Sequence, residues 1–81
     1  MTERRGSIRH RILKPGMIVL PHGGTISCTI RNLSETGAGI EVESSLGVPE
    51  LFDLLIGGDE KHPRHCKVAW RTIRRMGVSF T

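Results

Sequence analysis

Between Thr25 and Glu43, apolar side chains return at every second position, and this rhythm is what most limits the fold. Ile26, Cys28 and Ile30 alternate with Thr25, Ser27, Thr29 and Arg31, and Ala38, Ile40 and Val42 alternate with Gly39, Glu41 and Glu43. A period of two turns one face of an extended strand toward a core and the other toward water. The same parity joins Cys66, Val68 and Trp70, and again Val78 and Phe80; all three aromatic residues, Phe52, Trp70 and Phe80, fall on apolar parities and read as core. Val48 to Ile56 satisfies two patterns, since Pro49-Glu50 would open a helix and Gly57 would close it, while Phe52, Leu54 and Ile56 keep period two; it reads as a strand. With Met17 to Leu20 as a further short strand, six are expected, and no helix. In a chain of 81 residues with ten glycines and four prolines, six short antiparallel strands are best stabilised by closing into a small all-β barrel, which leaves no sheet edge open.

This length supports one domain. Residues 1–15 have little hydrophobic periodicity and read as a flexible basic arm ending in the turn signal Lys14-Pro15-Gly16, and residues 16–81 read as the barrel. Charge is sorted along the chain: +5 from Met1 to Arg31, −7 from Asn32 to Glu60 and +6 from Lys61 to Thr81. Sign segregation of this kind concentrates anions near the two basic blocks.

Most chemistries are excluded by what is missing. Cys28 and Cys66 are too few for a disulfide scaffold and lie on the apolar parity of their strands, so they read as small core residues in a reducing, cytoplasmic setting. His62, His65 and Cys66 cluster in sequence but lack the paired spacing of a structural zinc site, and no metal is expected. Ser34 has no histidine nearby and no strand-to-helix nucleophile turn, and no phosphate-cradling loop of the Walker type is present. The chain therefore reads as a binding module without catalytic residues or cofactor. No apolar stretch is long enough to enter or cross a membrane.

What remains is arginine combined with a polar turn. Arg5 and Arg9 stand four residues apart in the arm, with Arg4 adjacent, and Asn32-Leu33-Ser34-Glu35-Thr36-Gly37 supplies an amide, a hydroxyl and a glycine between two strands that look like a hairpin. Guanidinium forks grip phosphates through paired donors and read the O6/N7 edge of guanine. Asn32 and Ser34, at alternate positions, would face one side and bond a base or phosphate, and Gly37 would permit a positive φ or the close approach of a ligand.

In this order and spacing the two motifs, RxxxR and NxSxxG, resemble the ligand signature of the PilZ domain family. Ala38-Gly39-Ile40, Val68-Ala69-Trp70 and Gly77-Val78-Ser79-Phe80 resemble that family's strand pattern, so the likeness spans nearly the whole chain. It implies a six-stranded barrel of the split-barrel type that binds the bacterial second messenger cyclic di-GMP through Arg5, Arg9, Asn32, Ser34 and Gly37, with Arg4 assisting. The chain stops at Thr81, without the helix that often follows the barrel. A receptor of this kind acts through a downstream protein, and Leu46 to Ile56, apolar and acidic, is a candidate contact, though it reads more readily as ordinary core. The rival reading is a small basic barrel that binds RNA or single-stranded DNA; the scarcity of aromatic platforms counts against it, and a nucleic acid polymer is not the expected partner.

Overall fold

The computed structural model describes residues 10–81, and within them the chain forms six strands and no helix: β1 (His10–Val19), β2 (Thr25–Leu33), β3 (Gly37–Glu41), β4 (Leu51–Ile56), β5 (Arg64–Arg71) and β6 (Arg75–Phe80). All neighbours are antiparallel, in the order β1-β2-β3-β6-β5-β4, and β1 pairs with β4 to close the barrel. Inward positions follow the expected parities. Ile18, Ile30, Ile40, Leu54, Cys66 and Met76 are fully buried, and Cys28, Ala38, Phe52, Ile56, Val68 and Val78 complete the core around them. Val48 to Ile56 is a strand from Leu51 onward, and Phe52, Leu54 and Ile56 point inward while Leu46 and Leu51 are exposed.

Two expectations about local structure are corrected. The boundary at residue 15 falls too late, because β1 already begins at His10, opposite Leu33, and runs through Lys14-Pro15-Gly16 without turning. Proline is tolerated there because the bonds of β1 to β4 begin only at Gly16, so the missing N–H of Pro15 costs no ladder bond on that side. Its carbonyl accepts a bond from the Gly57 N–H at 2.8 Å. Gly16 lets β1 lie close over the core: a β-carbon on it would fall 2.9 Å from Ile30 Cδ1 and 3.0 Å from Cys28 Sγ.

The second correction concerns Trp70, which is 51 % exposed. From Val68 to Trp70, β5 advances two residues while β6 advances one, from Val78 to Gly77. An extra residue of this kind turns the next side chain to the opposite face of the sheet. The same device operates on β2, where Ile30 faces Ile40 and Asn32 faces Gly39, so Asn32 leaves the inward parity of Ile30 and lies on the outside.

Candidate functional site

The two register shifts set up one row across the outer wall. Asn32 on β2 faces Gly39 on β3, Gly39 faces Gly77 on β6, and Gly77 faces Trp70 on β5. At about 4.8 Å between strands the row spans roughly 14 Å. Both central positions are glycine because the end residues lie flat across them. A β-carbon on Gly39 would sit 2.6 Å from Asn32 Nδ2 and 2.9 Å from its Oδ1, and one on Gly77 would sit 2.5 Å from Trp70 Cε2.

Beside Asn32 the surface opens into a cavity of about 420 Å³ lined by Arg11, Ile12, Leu13, Arg31, Asn32 and Arg75. Three arginines thus line one cavity with Asn32. Arg11 belongs there because it is the Cα partner of Asn32 across β1 and β2, and a register shift between Arg11 and Lys14 carries Leu13 outward. Arg31 occupies the shifted part of β2, and Arg75 faces Glu41 across β3 and β6. Glu41 Oε1 accepts from Arg31 Nη1 at 3.0 Å and lies 3.8 Å from Arg75 Nε. A larger cavity, about 560 Å³, lies between β1, β4 and β5 and is mostly apolar, with Asp53 and His65 at its rim. It holds no arginine, so its size does not make it the better anion site.

The turn from Asn32 to Gly37 is built by its own serine. Ser34 is only 7 % exposed. Its hydroxyl oxygen accepts the N–H groups of Thr36 and Gly37, each at 3.2 Å, and lies 3.3 Å from the Gly37 carbonyl, to which it donates. The Ser34 N–H also donates to that carbonyl at 2.9 Å. Serine, with a short side chain that bonds its own backbone two or three residues ahead, is suited to this closure. Asn32 and Ser34 therefore do different things: one lies on the outer wall and the other locks the bend.

Gly37 does not adopt the positive φ expected of it. The positive-φ glycines among the described residues are Gly23, Gly47 and Gly58. At Gly37 it is the carbonyl of Val78, on β6, that crowds the space a β-carbon would need, so the absent side chain admits a neighbouring strand. Arg4, Arg5 and Arg9 lie outside the described residues.

Sequence reasoning missed Gly39, Gly77, Arg31 and Arg75. The signal for the first was present: glycine at alternate strand positions, Gly37 and Gly39, marks a face where something approaches closely. The two arginines carried no signal, since only pairing brings them beside Asn32.

The remaining titratable clusters are small. His65 Nδ1 meets Asp53 Oδ1 at 2.5 Å and His62 Nδ1 meets Asp59 Oδ1 at 2.8 Å, both exposed pairs. Hydrogen bonding to His62 holds the Asp59 carboxyl below its ordinary range. Among the described residues no three His, Cys, Asp or Glu side chains gather as a metal would require, and no helix is long and apolar enough to cross a membrane. Burial pushes the Cys28 thiol up to about 11 and the Cys66 thiol up to about 12, so both remain protonated and inert near neutrality.

Against models of known families, residues 3–81 match that of the PilZ domain. No curated protein matches the chain.

Proposed function

The chain belongs to the PilZ domain family, a family of cyclic di-GMP receptor domains, and from that premise we propose that it binds cyclic di-GMP on the outer wall beside Asn32 and relays the signal to a partner protein as an adaptor. The observation that carries this reading is the start of β1: His10 pairs with Leu33, one residue beyond Asn32. Arg9 directly precedes His10, and Arg5 is five residues before it. A chain reaches at most about 3.3 to 3.6 Å per residue, so Arg5 has its Cα within roughly 18 Å of that of His10. RxxxR and NxSxxG, far apart in sequence, are thereby within reach of one ligand.

In this reading Arg5 and Arg9 bond the phosphates and guanine edges, Arg4 assists, Asn32 bonds a base, and Ser34 and Gly37 hold the turn that supports them. Micromolar affinity, about −8 kcal/mol, is the expected value. For the relay, Leu46, 82 % exposed, and Ile73, 72 % exposed, form the candidate partner surface. They are held together because the Ser45 N–H donates to the Ile73 carbonyl at 2.7 Å and the Ser45 hydroxyl donates to the Thr72 carbonyl at 2.6 Å.

Calorimetric titration with cyclic di-GMP, with GTP and a short RNA as controls, tests the reading. Saturable micromolar binding of the dinucleotide alone is expected, weakened about 10- to 150-fold in Arg9→Ala, the cost of a charged hydrogen bond. Absence of binding, or equal affinity in the variant, overturns it.

A further inference from the structure

We propose that Arg31 and Arg75 form an additional phosphate grip, outside both signature motifs, and that Glu41 restrains it by pairing its charge with both until an anionic ligand takes its place. This rests on the reading of the outer wall as the cyclic di-GMP site and adds to it a residue that sets the affinity.

The geometry is that of an internal competitor. Both arginines line the cavity beside Asn32. Both turn toward the same carboxylate oxygen of Glu41, Arg31 through Nη1 at 3.0 Å and Arg75 from Nε at 3.8 Å. Glu41 does not line that cavity; it stands at its edge and borders the neighbouring one with Ser27, Thr29 and Arg74. One oxygen shared by two forks leaves most of their N–H donors unused, whereas a phosphodiester offers two anionic oxygens and suits paired donation. The side chains of Arg31, Arg75 and Glu41 are 41 %, 50 % and 34 % exposed. Ion pairs so open to water are weak, and a ligand can displace Glu41 at little cost.

Removing the carboxylate charge is therefore expected to tighten anion binding. Glu41→Gln keeps the shape and an acceptor for Arg31 while deleting the charge. Deleting one unit charge beside a bound phosphate, in mostly aqueous surroundings, predicts a gain of about 3- to 10-fold in affinity for cyclic di-GMP. Adding Arg31→Gln in the Glu41→Gln background is expected to cancel that gain.

Calorimetry of the full chain and these variants decides it. If the wild type binds cyclic di-GMP and Glu41→Gln binds equally or more weakly, the restraint is overturned while the site stands. If the wild type binds no cyclic di-GMP, the proposed function fails, and the grip is judged separately with inorganic pyrophosphate, read by the NMR shifts of the arginine Nε–H groups. Tighter pyrophosphate binding in Glu41→Gln supports the grip, and unchanged binding overturns it. Should Glu41→Gln not fold, Arg75→Gln carries the test, with a loss of about tenfold expected and unchanged affinity overturning the grip.

Discussion

Trp70 and Gly77 are cross-strand partners on β5 and β6, and the indole lies so close over the glycine that a β-carbon there would fall 2.5 Å from Cε2. The contact explains how a half-exposed tryptophan is held flat on a barrel wall: its ring packs on backbone where the sheet offers no side chain. Asn32 and Gly39 repeat the arrangement on β2 and β3. The outer surface between them is floored by two glycines.

Gly77→Ala should lift the indole rather than disrupt the barrel, because Trp70 is a surface side chain free to swing outward. A loss of about 1 kcal/mol is expected, the lower end of overpacking costs, with tryptophan emission shifted toward the red. Trp70 is the protein's single tryptophan, so the spectrum reports this contact alone. An unshifted spectrum would show that the ring does not rest on Gly77.

Gly37→Ala should be worse. Here the obstacle is the Val78 carbonyl, part of the β3–β6 ladder, which cannot rotate out of the way. A loss of roughly 3 kcal/mol, the upper end of the same range, is expected in urea denaturation. The ordering of the two glycine variants is the sharper statement: equal losses would mean that backbone and side-chain obstacles do not differ as argued.

Ser34→Ala removes the acceptor for two N–H groups of the turn. The buried turn then loses about 1 to 3 kcal/mol, the cost of leaving such groups unsatisfied. Affinity for cyclic di-GMP is expected to fall with it, because Asn32 loses its support. Paired denaturation and calorimetry check this: a variant with wild-type stability but weaker binding would give Ser34 a direct ligand contact instead.

The two thiols make stability fall at high pH. Burial raises them from 9.0 to about 11 for Cys28 and about 12 for Cys66. In the unfolded chain they ionise near the ordinary value, so their contribution is fully present below pH 9 and is lost as pH rises toward 12. Denaturation from pH 7 to 11 should show decline only above about 9, reduced in Cys28→Ala and Cys66→Ala. A disulfide-exchange reagent at pH 8 should label neither cysteine until the protein unfolds; rapid labelling of the folded protein would contradict their burial.

Period-two alternation sufficed to place β2, β3, β5 and β6 and to pick out Ile30, Ile40, Cys66 and Val78 as inward residues, because burial on one face of a strand writes itself directly into the order of side chains. The hairpin around Asn32–Gly37 was legible for a similar reason: its polar residues are local, and so are the bonds that Ser34 makes. What could not be read was anything that depends on counting across strands. Parity put Trp70 in the core, and that expectation failed at a position where β5 carries a residue more than β6, just as a shift on β2 carries Asn32 to the outside. Such an insertion is invisible to a pattern that counts along a single strand, yet it inverts every direction beyond it.

The sequence alone thus decided that there would be strands, which faces would be dry, and that arginine would be plentiful. Only the closed sheet decided that Arg11, Arg31 and Arg75 would meet around Asn32, that Glu41 would stand between two of them, and that Gly37 would serve Val78. These are relations between residues far apart in sequence, created by register, and register is set by the pairing of whole strands rather than by any one of them.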